Sequence, residues 1–327
     1  MSDRAPSDAG VGGAENHQLR KGAVLLGSAA VLFPVKDALI KAGAGEVSAI
    51  AATGIYFFAQ TLLIVTVSKL ARRGKSDRGP GLYAVGWGQL SGILGRSLAL
   101  VTSVALFFAA VQAAPIALCV VLFTTNALFL VLLAPWLLNE PLTACKLMCV
   151  ACGFAGVGLV MAPSGQETVD WRLGLALASA FSFALYLVAT KRLAHDIQAS
   201  TLMLSDGLLG SLAAAVVLAL GDLLAPGNAV ITLATVPTAA GITLAMLAGA
   251  VGTLSSMLVI KAMRLAPASV IAPLGYLEIV SAAAIGAFIF RDPLTFAAVA
   301  GAALIVMSCW VASSSTKREP PVQKQDP

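Results

Sequence analysis

The sequence predicts an all-α integral membrane protein with ten transmembrane helices, arranged as two inverted five-helix repeats. Three observations predict it: a composition too poor in charge for water, ten apolar runs of bilayer length, and a motif that recurs 152 residues further on.

Of the 327 residues, 58% are hydrophobic and 11% charged, and the mean hydropathy is +0.90. Soluble domains carry about 25% charged residues, so this chain is composed for lipid. A helix crosses the hydrocarbon core in about 20 residues, because the core is about 30 Å thick and each residue rises about 1.5 Å. The runs that meet this are 22–41, 47–70, 94–112, 116–138, 142–161, 173–190, 202–224, 236–261, 268–290 and 294–312. None shows the period-2 alternation that a membrane β-barrel needs, and helices satisfy their own backbone groups in lipid.

The first run follows Arg20 and Lys21, as in a signal peptide, but its length and the spans after it predict that it is retained. Residues 1–20 and 314–327 are polar and read as disordered cytoplasmic tails, leaving 21–163 and 164–313 as the two five-span repeats. The net charge of +5 does not mark a nucleic-acid binder, because the basic residues cluster at the ends of apolar runs. Arg4, Arg20 and Lys21, then Arg72, Arg73, Lys75 and Arg78, then Lys191 and Arg192, then Lys261 and Arg264, then Lys317, Arg318 and Lys324 fall on one side, if each run crosses. The other side holds little beyond Lys41, Arg172 and Arg291. Cytoplasmic loops retain Lys and Arg, so both termini are placed inside a cytoplasmic membrane. Trp87, Trp136, Trp171 and Trp310 stand at span ends, where interfacial aromatics belong.

The five cysteines all lie within spans. Cys145, Cys149 and Cys152 share a helix face but bring no histidine or carboxylate with them, so helix packing accounts for them better than a metal does. The two histidines, His17 and His195, fall in a tail and a loop and supply neither a serine triad nor a zinc site. Gly153 to Gly158 resembles a nucleotide loop only in spelling; inside an apolar span, with no preceding strand, it reads as close helix packing. No cofactor and no metal are expected.

The repeat is carried by Asn139-Glu140-Pro141-Leu142-Thr143, which returns as Arg291-Asp292-Pro293-Leu294-Thr295, and by Pro115 and Pro267 at the same displacement. Proline opens a helix and a preceding acid suits the helix dipole, so these residues read as structural. Five spans per copy, an odd number, turn the second copy upside down. Inverted repeats of this kind characterise secondary transporters, with the substrate site near the midplane.

The same displacement pairs Glu278 with Asn126, each about 15 Å from the proline that opens its span. A charge at the bilayer centre costs about 2.5–3.5 kcal/mol on insertion scales, so it faces a cavity or a partner. Glu278 is read as binding a substrate cation or a coupling proton, with a protonated acid hydrogen-bonded to a neighbouring helix as the alternative. Its face-mates Gly275 and Ala282 suggest open space beside it. Tyr276 lies about 200° round the helix and either packs or lines. Asn126 either lines the pathway or bonds between helices. Lys36 and Asp37 either neutralise one another or reach the interface, and Gln60 and Arg96 complete the pathway set, Arg96 with lipid-headgroup anchoring as its alternative.

The stretches LFFAAVQAAPIALCVVLFTTNALFLVLLAPWLLNEPLT and SSMLVIKAMRLAPASVIAPLGYLEIVSAAAIGAFIFRDPLT resemble the drug/metabolite transporter superfamily, specifically proteins of two EamA repeats. The resemblance runs from Gly22 to Ala312 and implies ten spans, cytoplasmic termini and alternating access without ATP. Asp37 to Lys41, Arg96 and Ala272 to Tyr276 look most like the branch of riboflavin-transporter-like and S-adenosylmethionine-transporter-like members. Gly275 stands where that branch more often has a polar residue, and Gly54 to Phe58 lack an arginine the family often carries.

The expected function is secondary transport of a small polar metabolite, an amino-acid-like compound or a drug, with membrane lipid and a coupling proton as further partners and a homodimer as the candidate assembly. A non-transporting scaffold or receptor is the alternative. A membrane enzyme is disfavoured, because the polar intramembrane residues are spread over several helices.

Overall fold

The computed structural model describes residues 9–72, 87–138, 144–161, 171–193, 197, 199–224, 237–265, 274, 276–292 and 295–316. They form helices α1 (Ala9–Ala42), α2 (Ala49–Arg72), α3 (Trp87–Ala113), α4 (Ile116–Thr124), α5 (Asn126–Leu138), α6 (Ala144–Val160), α7 (Leu173–Leu193), α8 (Ala199–Leu224) and α9 (Ala239–Leu265). Two more follow: α10 (Leu277–Ile285), continued by a π-helical turn over Gly286–Phe290, and α11 (Phe296–Thr316). Among the described residues, seven spans are long and apolar enough to cross a membrane, α4 and α5 together making one, and three shorter apolar helices cover Leu147–Val160, Leu277–Phe290 and Phe296–Val311.

Large apolar side chains point outward, Phe288 and Phe296 being almost fully exposed, as a surface facing lipid tails requires. The interior holds alanines, branched aliphatic residues such as Ile40, Ile116, Leu122 and Leu128, and a few aromatics, and its closest helix crossings use glycine. Gly156 of α6 and Gly301 of α11 lie so close that a Cβ on either would stand 2.8 or 2.6 Å from the other's carbonyl oxygen. That is the small-residue packing expected of the Gly153 to Gly158 stretch. Gly207 and Gly210 of α8 seat the Phe57 segment of α2, and Gly249 and Gly252 of α9 seat Tyr56. Serines zip α3 to α7: Ser103 and Ser179 bond each other, and the Ser182 hydroxyl donates to the Ala99 carbonyl at 2.8 Å.

The helices pack in a definite pairing. α1 lies on α9, α3 on α7, α2 on α8, α6 on α11, and α10 on both α1 and α4.

Three local features depart from straight spans. α1 begins at Ala9, taking in residues assigned above to a polar tail, because Ala14, Glu15, Gln18, Leu19 and Arg20 are helix formers that extend its turns. Pro34 interrupts the hydrogen-bond ladder of α1, since it has no N–H to offer the carbonyl of Ala30. The fourth span breaks at Thr125, where Thr124, Thr125 and Asn126 each donate a side-chain hydrogen bond to the carbonyl three residues back.

Candidate functional site

The carbonyl that Pro34 leaves free is taken by the hydroxyl of Ser281, 3.0 Å away on α10. This polar contact seats α10 against α1 and brings Glu278, one turn before Ser281, beside the residues that follow Pro34.

Those residues are Lys36 and Asp37. Asp37 is buried and Lys36 nearly so; the ammonium pairs with Asp37 Oδ1 and does not snorkel to an interface. Its Nζ stands 5.4 to 5.9 Å from the ring centroids of Phe33, Phe107 and Phe108, a cation–π environment. Asp37 Oδ2 is buried with no hydrogen-bond partner. Glu278 is half-buried and close enough to act electrostatically on both Asp37 and Lys36. One cation therefore faces two acids. The Tyr56 ring, edge-on to Phe108 at 5.4 Å between centroids, closes the cluster from α2 and is coupled electrostatically to Lys36, Asp37 and Tyr186.

Tyr186 opens a second polar cluster. Arg96 of α3 is buried, not headgroup-facing, and spends every donor. Its Nη1 and Nη2 meet the two Asp206 oxygens at 2.8 and 3.0 Å, Nε donates to Thr190 Oγ1 at 2.7 Å, Nη2 to the Tyr186 hydroxyl at 2.9 Å, and Nη1 to the Leu202 carbonyl at 3.4 Å. Ser97 adds a hydrogen bond to Asp206 at 2.7 Å, and the guanidinium stacks 4.6 Å above the Tyr186 ring. A planar fork meeting a carboxylate with both prongs is the strongest common pairing of these groups, and here it ties α3 to α7 and α8.

The structure thus brings Glu278, Lys36 and Asp37 together and separates the other candidates. Gln60 is buried and donates to the Met203 carbonyl of α8 at 3.0 Å, a contact between helices. Asn126 bonds back to Phe123 within its own span, so it is not glue between helices. Tyr276 stands at the N-terminal end of α10 without a side-chain capping hydrogen bond and packs against the apolar core. Ala282 is fully buried, so its small side chain admits a neighbouring helix where open space was expected; Gly275 lies outside the described residues. Cys149 is buried and Cys152 exposed, so the two do not share a pocket, and nothing is described of the Cys145 side chain. A groove of about 350 Å³ lined by Arg20, Lys21, Val24, Leu25 and Leu265 lies at the far end of α1 from the cluster.

Residues 171–314 match the EamA-like transporter family. The EamA-like part carries α7 to α11 and with them Tyr186, Asp206 and Glu278; Lys36, Asp37, Gln60 and Arg96 precede it. No curated protein matches the chain. A solved crystal structure, titled only as that of a protein, is similar at 19% identity with a TM-score of 0.59, over 91% of this chain and 98% of its own, a likeness of fold. The EamA-like match supports membership of the drug/metabolite transporter superfamily. Together with the seven apolar helices among the described residues it supports a multi-pass membrane protein.

Asp206, Tyr56 and Tyr186 are absent from the sequence-based candidates. Asp206 carried a related signal, an acid inside an apolar run, although nearer the end of its run than Glu278 is.

Proposed function

We propose that the protein is a secondary transporter that moves a small polar metabolite, amino-acid-like compound or drug by alternating access between two inverted five-span repeats, 21–163 and 164–313. The helix pairing supports that layout. If the tenth span follows from the fifth and the sixth from the first, the contacts of α1 with α9 and of α7 with α3 exchange. Those of α2 with α8, α6 with α11 and α4 with α10 map onto themselves. The helix starts agree too: α5 begins at Asn126, after the break at Thr125, and α10 at Leu277, next to Glu278, at equivalent places in the fourth and ninth spans. Interrupted helices near the midplane are where secondary transporters build their sites.

One observation carries the reading. Glu278 of α10 stands within electrostatic reach of Lys36 and Asp37 of α1, whose own pair takes up the cation and leaves one buried carboxylate oxygen without a donor. Such a site is completed by a cationic group of the substrate or by a coupling proton. The riboflavin- and S-adenosylmethionine-transporter-like branch, a cytoplasmic membrane location and cytoplasmic termini belong to the same reading.

Uptake of a metabolite library into proteoliposomes, with and without a pH gradient, tests it against Glu278→Gln. Loss of flux in a variant that still elutes as a folded species supports the assignment. Unchanged flux makes Glu278 a structural acid, and no flux from the wild type across the library favours the scaffold.

A further inference from the structure

Two ion pairs join the halves of the molecule, one at an end of the bundle and the other about a third of the way in from the opposite end. At the end where α1 finishes, Lys41 Nζ lies 2.8 Å from both Asp292 oxygens and donates to the Ala114 carbonyl at 3.1 Å. The same carboxylate accepts the Ile116 N–H at 3.1 Å, so it caps α4 and not, as the motif suggested, the helix that follows it. Towards the other end Arg96 grips Asp206, about 14 Å along α3 from the start of that helix. The cluster of Lys36, Asp37 and Glu278 lies between them, Lys36 about 7.5 Å along α1 from Lys41.

The segment that carries Asp292 is strained. It follows a π-helical turn, and Arg291 is the one non-glycine residue with positive φ among the described residues, at 55°. A bulky residue in the left-handed region and a π turn both cost energy and persist where surrounding contacts enforce them. Here Lys41 and Ile116 supply those contacts, so releasing Asp292 also releases the strain.

We infer that the Arg96–Asp206 and Lys41–Asp292 pairs are the two gates of the transport cycle, each shutting one end of the Lys36–Asp37–Glu278 cluster and each opening while the other holds. The inference rests on the transporter reading above. Two bodies that rock about the midplane separate their contacts at one end and keep those at the other, so pairs that bridge the halves at both ends cannot both survive in an open state. With both pairs made, this conformation is the occluded one.

The test uses full-length protein in lipid, native cysteines replaced, with spin labels on exposed positions at either end: Leu90 with Leu208, and Ala44 with Ile289. Asp206→Asn is expected to add a longer Leu90–Leu208 distance and leave the other pair alone. Asp292→Asn is expected to do the reverse. Ser97→Ala and Lys41→Met, which weaken each clamp from the partner's side, should shift the same ends less and stand in if an aspartate variant does not fold. Distances that stay unchanged in all four, or lengthen at the same end whichever pair is cut, overturn the gates. Because the distances need no substrate, the two failures are distinguishable: a wild type without flux would sink the transporter reading and with it the gating role, even if the ends move. Flux with immobile ends would overturn the gates and leave the transporter reading standing.

Discussion

Asp37 is the residue whose surroundings ask most of it: buried, bonded to Lys36 through one oxygen, and left without a partner on the other. Breaking a buried pair by neutralising one partner typically costs about 3–5 kcal/mol, whereas replacing both by apolar groups of similar volume is often neutral. Asp37→Asn should therefore lower the thermal midpoint in detergent, and the double variant Lys36→Met with Asp37→Leu should recover most of that loss. Flux should be absent from both. A double variant that regained flux with stability would make the pair structural and remove it from the site. That Lys36, Asp37 and Glu278 are candidates was legible in the sequence, because charge inside an apolar run needs a reason whatever the fold. Their meeting was not. Glu278 lies more than two hundred residues from Asp37, and what joins them is the carbonyl that Pro34 frees and Ser281 takes, a contact invisible until α1 and α10 lie side by side. Arg96 shows the same limit from the other direction: its place near a span end suggested lipid headgroups, and only the fold supplies Asp206, Tyr186 and Thr190 as partners.

Among the elements, helix positions were legible and helix defects were not. The apolar runs place α4 at Ile116 and end the ninth span at Phe290, as observed, because the length of an apolar run is set by bilayer thickness. The same run says nothing about how the backbone winds, so the break at Thr125 and the π turn at Gly286 passed unseen. The crossing of α6 and α11 offers a clean test of packing without a hydrophobic drive. A Cβ at Gly156 would stand 2.8 Å from a backbone oxygen of α11, while one at Gly158, half a turn away, meets nothing within 4 Å. Gly156→Leu should force the helices apart, at a cost of about 1–3 kcal/mol or more for overpacking, and appear as aggregation on size-exclusion chromatography in detergent. Gly158→Leu should elute like the wild type. Equal behaviour of the two would mean that the crossing tolerates a wider spacing.

At the scale of the whole molecule, the ion pairs and helix directions fix which ends lie together. Asp292 meets Lys41 at the finishing end of α1, and α11 starts four residues after Asp292, so α11 runs back towards the end where α1 begins. That shared end also receives Lys69 and Arg72 of α2, Lys191 and Arg192 of α7 and Lys261 of α9, beside Arg20 and Lys21 of α1. At the opposite end Lys41 is already matched by Asp292, which leaves little uncompensated basic charge there. Basic flanks resist translocation, so the asymmetry predicts a bundle with its shared end in the cytoplasm. In a bacterial host, alkaline phosphatase fused after residue 327 should be inactive and a fluorescent protein fused there should glow, with the same outcome at the N-terminus. A cysteine at Ala44, exposed between α1 and α2, should react with an impermeant maleimide in intact cells. Labelling of Ala44→Cys only after permeabilisation would invert the orientation. Partial labelling together with partial phosphatase activity would show a chain inserted both ways, and the charge asymmetry would then be too weak to choose.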